Sequence, residues 1–526
     1  MYKFVHRCLA VAAVVSLCWL AGCAQLGAPV KARPELAGLP QSTPTQASQL
    51  AWLNRVTWGA NASSQADLAR LGLAPWLAQQ LSAGPAVLPP EAQAQIDAMA
   101  ISKQTMPQLA VALEIQRKAV DAVPDPAEKL AARQAYQQEL MRLLRETQQR
   151  FLLRALYAPN QLQEQMVWFW MNHFSVNGRR ENLRVALGDY EENAIRPHAL
   201  GKFRDLLGAT ARHPAMLRYL DNVQNANNRV NENYARELLE LHTLGVDGGY
   251  TQADVQALAR VFTGVGVTLR TDDGPPANMP PALAADYVRN GLFEFNPQRH
   301  DYRLKTLLGQ PMTARGLAEV DEALDRLARA PATARFIAHK LAVYFVADAP
   351  PPALVQRMTA SFTRSDGDIA ATLASMFASP EFSASLGQQF RDPVHYVVAG
   401  VRLAYDGRVV RNVTPMLNWL NRMGEPPYGQ GTPDGYPLQR SAWASAGQMT
   451  TRFEIARQLG ASGAVLMRTE DKLPLETPVF PPLAASSAAL ALQTTLGPRT
   501  RQALAEAQSP QDWNTYLLAS PEFMNR

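Results

Sequence analysis

Cysteine is almost missing from this chain. Its 526 residues hold three, Cys8, Cys18 and Cys23, all crowded before position 24. The long remainder therefore offers no disulfide framework, thiolate metal site or cysteine nucleophile. An excess of one charge is missing too. Lys+Arg number 51 against 46 Asp+Glu, a net +5, which is no nucleic-acid footprint. The zinc-protease HExxH, the GxSxG elbow, the phosphate-cradling P-loop and the CxxC and CxxCH signatures are all absent. Strand-like alternation is scarce, with Leu292 to Phe295 and Arg408 to Val413 as the short candidates.

What is present begins with an export signal. Residues 1–22 run from a short basic stretch with Lys3 and Arg7 through an apolar segment, Leu9 to Leu20, to the small pair Ala21 and Gly22. The apolar segment is about a dozen residues, whereas a membrane-spanning helix needs about 20. It reads as a secretory signal. Leu20-Ala21-Gly22-Cys23 resembles the lipobox at which bacterial lipoproteins are acylated on sulfur and cleaved. The expectation is a mature chain starting at Cys23, held in the bilayer by acyl chains, palmitate among them. Several chains anchor far more firmly than one. Ala24 after the acylated position implies delivery to the outer membrane, in the periplasm-facing cell envelope. Removing Lys3 and Arg7 leaves 49 basic against 46 acidic residues, or +3. Gln25 to about Gln49 is rich in Pro, Ala, Gly and Ser without apolar periodicity, as a flexible tether would be.

Beyond the tether, helical signals dominate, and the fold class expected for 50–526 is mainly α with few short strands. Length alone suggests two to four domains, and 47% hydrophobic content can bury a large core. Ser64, three residues before Asp67, suggests a capping box ahead of Leu68 and Leu71. Asp125-Pro126 with Glu128 starts a helix that meets no breaker until about Tyr157. Ala378-Ser379-Pro380-Glu381-Phe382 recurs as Ala519-Ser520-Pro521-Glu522-Phe523. A serine cap, a first-turn proline and a glutamate explain both as helix restarts.

The residues richest in chemistry lie between Trp168 and Asp301. Leu162, Met166, Phe169 and His173 fall on one helix face, so His173 points inward, either as a satisfied core histidine or as a ligand or acid/base group. Trp168 and Trp170 read as core. A loop with Asn225, Asn227 and Asn228 is explained by asparagine's fitness for turns, with a carbohydrate or cation site as the sharper alternative. From Asn231 to Leu244 a helix is expected. On it Glu232, Asn233, Arg236, Glu237 and Glu240 share one arc, opposite Tyr234, Ala235, Leu238, Leu239 and Leu241. Glu232, Arg236 and Glu240 can form an i,i+4 ladder, which leaves Glu237 without a partner. His242 lies on the apolar side, so it makes a poor metal pair with Glu237 or Glu240. Gly245 ends this helix, and Thr251 with Asp254 caps the next. His300-Asp301, in a loop, is a candidate ligand or catalytic pair.

At these residues a family resemblance enters. Phe169-Trp170-Met171-Asn172-His173-Phe174, His213 to Asn222, and Asn231 to Val246 with its Asn-Glu-Asn-x-Ala-Arg-Glu-Leu core resemble the bacterial domain-of-unknown-function family numbered 1800. So do His300-Asp301 with Lys305, Ala334 to Leu341, Ser365 to Ile369, and Pro433-Asp434-Gly435-Tyr436-Pro437. Val265 stands where that family often has tryptophan. The resemblance covers about Leu50 to the C-terminus and implies one mainly helical, envelope-associated unit without an assigned activity or cofactor. It also implies a possible partner, encoded nearby, that resembles sulfatases and alkaline phosphatases. Two functions are expected from these readings. The first is an accessory lipoprotein that binds an envelope partner or glycan through Asn231, Glu232, Asn233, Arg236, Glu237 and Glu240. The second is a hydrolase or metal-dependent enzyme, with His173, Glu237, His300 and Asp301 converging in one pocket.

Overall fold

The computed structural model describes residues 45–526, apart from 83, 85, 86, 181, 182, 271, 273 and 469–479, together with Leu36 and Leu39. The signal segment and Cys23 lie outside the described residues. Of the expected tether, Leu36 and Leu39 are buried in the core, and residues 46–49 already form the first turn of the helix Gln46–Val56. The Thr45 hydroxyl caps that helix by accepting from Ser48 N–H. The helical body thus starts a turn before Leu50, because a polar first turn carries no apolar signal.

Helices account for most of the molecule, and the architecture is a single large, mainly α domain. One hydrophobic cluster runs from Leu36 to Met524, and a small satellite joins Leu88, Ala92, Ile96, Met99 and Leu153. Length alone points to several domains. The continuity of this core shows one, since side chains from both ends of the chain bury against each other.

The long helix Pro126–Tyr157 starts where expected, with Asp125 accepting from Ala127 and Glu128 N–H. Such a cap contributes about 1 kcal/mol. Only its second half is buried, from Leu140 onward. The reading of Ser64 is corrected. Asn61 is the cap of Ala62–Leu71 and Ser64 is its third helical residue, while Asp67 pairs with Arg70 at 2.8 Å. Thr251 and Asp254 form the expected capping box. Ser379 caps a true helix, Pro380–Ser385, but Ser520 caps only a turn before the chain ends.

Among the described residues, strand structure is confined to short pieces. β1 (Val265–Val267), β2 (Val288–Asn290) and β3 (Phe293–Phe295) form an antiparallel sheet in the order β1-β3-β2, and β4 (Thr306–Leu307) with β5 (Gln310–Pro311) makes a hairpin. β3 falls within the expected Leu292–Phe295. Arg408–Val413 is not a strand. Its donors are taken elsewhere, Val410 N–H by the Tyr157 hydroxyl and Arg411 and Asn412 N–H by Leu466 C=O, so no ladder can form.

The helix Gln161–His173 runs through the centre of this body. Its Leu162, Met166, Phe169 and His173 stripe is buried, and so are the polar residues on the opposite side. Glu164 is held by Arg196, and Gln165 accepts from Arg526 at 3.0 Å. Trp168 and Trp170 are core, as expected.

Candidate functional site

The C-terminal end of Gln161–His173 delivers His173 beside two other helices. One is Asn233–Glu237, which continues into the π-helical segment Leu238–Thr243; the other is Pro331–Phe345. A π-turn takes in an extra residue and rotates the remainder of the helix about its axis. Leu241, expected on the apolar side, is therefore half-exposed, while His242 is buried. The last carbonyls of a helix lack intrahelical partners, and His242 C=O is one of these. His173 Nε2 donates to it at 3.1 Å.

That bond fixes the tautomer, because Nδ1 is then the acceptor, and the Lys340 ammonium donates to it at 3.0 Å. Burial, Lys340 and His242, in that order, push the His173 imidazole well below its usual range. Burial and the same lysine bring His242 down to about 3. Both rings are neutral at physiological pH. Burial lowers the Lys340 amine to about 8, against the opposing pull of Asp434. An amine so placed is the kind of group that serves as a base or nucleophile near neutrality.

Asp434 comes from a loop that closes over this corner. Asn172 accepts Tyr436 N–H at 2.6 Å and donates to Tyr436 C=O at 3.0 Å, clamping the loop to the helix end. Gly435 makes the close approach possible. Its φ is +81°, and a Cβ there would lie 2.2 Å from Asn172 O. Tyr219 reaches the same loop, donating to Gly431 C=O at 3.2 Å, with the Arg180 guanidinium 5.0 Å over its ring.

Glu237 stands on the rim. Its helical face carries the expected ladder, Arg236 to Glu232 at 3.1 Å and to Glu240 at 3.7 Å. Glu232 also accepts from Gln252, Glu240 accepts from Tyr250, and Asn233 donates to Leu220 C=O. Asn231 is bonded to Asn225 and Asp221. Glu237 alone among these has no hydrogen bond or ion pair to any described residue. Its carboxyl is raised by burial first and then by the negative charges of Glu240 and Asp434, against Arg236.

The structure corrects the expectation that His173, Glu237, His300 and Asp301 converge. His173 and Glu237 share a neighbourhood only through Lys340 and Asp434. His300 and Asp301 belong to a separate knot with its own partners, in which His300 Nε2 is buried without a hydrogen bond. His300 Nδ1 donates to Thr263 C=O at 2.8 Å, and Nε2 lies 3.6 Å from Glu319. Asp301 is gripped by Arg260 at 2.8 Å and Arg303 at 2.6 Å, with Arg303 as the largest cause holding its carboxyl far below the usual range. Lys305 pairs with Glu319 at 2.6 Å, both side chains nearly fully buried. Two of the loop's asparagines, Asn225 and Asn227, are bonded within the protein, while Asn228 is exposed. Asn225 donates to Asn222 Oδ1 and Ala259 C=O and accepts from Asn231 N–H, and Asn227 donates to Gln298 C=O. These bonds explain Asn225 and Asn227 as turn and packing residues.

Lys340 and Asp434 do not stand out as site residues in the sequence. A signal for Lys340 exists, since it follows Ile337 by three positions and precedes Tyr344 by four, on the flank of the buried face of its helix. Asp434 carries only a turn signal. Among the described residues no three His, Cys, Asp or Glu side chains are grouped as a metal site requires, and no helix is long and apolar enough to cross a membrane.

The segments that meet at this corner, Phe169–Phe174, Asn231–Val246, Ala334–Leu341 and Pro433–Pro437, are among those on which the resemblance rests. Residues 51–525 match the family described as Protein of unknown function (DUF1800). The chain belongs to that family. Neither curated proteins nor solved structures give a match.

Proposed function

We propose that this DUF1800 member is an exported lipoprotein, acylated on Cys23 and held at the outer membrane, that docks an envelope partner on the face formed by Glu232, Arg236, Glu237 and Glu240. One observation carries the binding reading. Every other polar side chain of that face is engaged within the protein, whereas Glu237 is half-buried, unpaired and within electrostatic reach of two further carboxylates, Glu240 and Asp434. A cationic group arriving there would relieve a standing repulsion, and such a contact gains strength from the partial desolvation already in place. The partner chemistry favoured is thus a basic segment of a protein rather than a neutral glycan, and the sulfatase- and phosphatase-like neighbour is the first candidate.

The test is capture from envelope extracts with wild type and Glu237→Ala. Retention of the same protein by both would defeat the docking role, and retention by wild type alone supports it. Palmitate labelling of wild type against Cys23→Ser tests the anchor separately, with loss of label and of membrane association expected.

A second reading is favoured by a different observation, the Lys340 amine lowered to about 8 and bonded to a neutral His173. In it the corner is an active site whose base or nucleophile is Lys340, with Glu237 as an acid. His300 and Asp301 have no place in that chemistry. Activity abolished by Lys340→Met, with the fold and the Glu237-dependent capture intact, would favour it.

A further inference from the structure

Away from that corner, a cavity of about 340 Å³ opens between the helices Ala62–Leu71 and Leu73–Gln80, the end of Pro126–Tyr157 and the end of Pro393–Ala404. That is within the size range of small-ligand sites. Its polar walls are mostly spent. Asp406 accepts from Asn61 Nδ2 at 2.9 Å and from Ser63 N–H and hydroxyl at 2.9 and 3.0 Å. Gln80 and Gln161 are bonded to backbone, and the Tyr157 hydroxyl donates to Arg408 C=O and accepts from Val410 N–H.

Arg402 is the exception. It is buried, 6% exposed. Nε donates to Gly59 C=O at 2.8 Å and Nη1 to Leu156 C=O. Nη2 has no acceptor among the described residues, and it is not sealed from solvent, so it is the atom Arg402 offers to the cavity it lines. The two bonded nitrogens fix the guanidinium plane, which makes Nη2 a preorganised donor. Arg408, exposed on the same wall, has no ion pair among the described residues, whereas Asp67 and Arg70 at the mouth neutralise each other. Two free guanidinium charges against the one carboxylate of Asp406 leave +1, which a monoanion balances. A phosphate dianion would overshoot beside Asp406. Trp76, Leu71, Pro89 and Val409 supply apolar lining.

We propose that this cavity binds a small organic monoanion, its carboxylate on Arg402 Nη2 and its apolar body against Trp76 and Leu71. The probe is benzoate, titrated calorimetrically into the purified full-length protein, with benzamide as the uncharged counterpart. Saturable benzoate binding that benzamide does not match is expected. It should fall about tenfold or more in Arg402→Gln, the loss of one charge-assisted hydrogen bond. Arg402 also ties two backbone carbonyls, so that variant can fail to fold. Gln79→Trp, which fills the mouth from an exposed position and leaves Arg402 alone, should weaken benzoate in a folded protein. No saturable benzoate binding to wild type, equal binding of benzamide, or benzoate binding unchanged in Gln79→Trp would each overturn the proposal.

Discussion

The Lys340 amine makes the sharpest prediction. An ordinary lysine titrates near 10.5, and burial brings this one to about 8. At pH 8 about half of Lys340 is then neutral, against about 0.3% of an ordinary lysine, an enrichment of about 160-fold in the reactive form. The residue is half-buried rather than sealed, so local opening of the covering loop brings the amine within reach of a small acylating reagent. Acetylation by acetic anhydride from pH 7 to 11, read at Lys340 by peptide mass spectrometry against N-acetyl-lysine amide, gives the titration midpoint directly. The midpoint rather than the rate is the measure, because nucleophilicity falls as the pKa falls. Asp434 supports the charged form, so Asp434→Asn should move the midpoint lower still. A midpoint at or above 10 would refute the burial argument. An Asp434→Asn midpoint equal to wild type would show that the loop carboxylate does not act on this amine.

Three further outcomes are expected from the same geometry. Glu319→Gln strands Lys305 with its charge buried, which should cost about 3–5 kcal/mol in urea unfolding, while the double variant Lys305→Met with Glu319→Leu recovers most of it; single and double variants of equal stability would contradict a buried ion pair. Gly435→Ala forces a Cβ onto Asn172 O from a left-handed backbone, so loop closure should fail, with faster amide exchange at Tyr436 and no loss of the helical signal in circular dichroism. Glu237 has a raised carboxyl pKa, so the folded state binds more protons than the unfolded state between the usual value of 4.5 and the raised one. Stability contributed there is present below that window and is lost as pH rises through it. Glu237→Gln should flatten that fall, and an unchanged pH profile of unfolding would count against the repulsion from Glu240 and Asp434.

Much of the local structure is legible in the sequence. Asp125, Thr251 and Ser379 cap helices because a side-chain oxygen two or three residues from a free N–H is a local matter, complete within one turn. The Glu232–Arg236–Glu240 ladder and the unpaired state of Glu237 come from helical spacing in the same way. Where sequence reasoning failed, a distant or irregular partner decided. Arg408–Val413 looks like a strand until the Tyr157 hydroxyl and Leu466 carbonyl take its donors. Ser64 looks like a cap until Asn61 is found in front of it. The π-turn after Glu237 has no spacing signal, and it alone turns Leu241 outward.

The sequence by itself determined the helical class, the caps, the charged face and the membership in a family that spans residues 51–525. These depend on residues that are neighbours along the chain or on the pattern as a whole. Only the tertiary structure decided which candidates belong together. His173 meets Lys340 across 167 residues, and Asn172 meets Tyr436 across 264. His300 and Asp301, adjacent and chemically suggestive, are instead tied to Thr263, Arg260 and Arg303 beside the Lys305–Glu319 pair, apart from His173 and Lys340. A side chain's chemistry depends on what remains unpaired after folding, and pairing across such separations is set by packing, which no local spacing encodes.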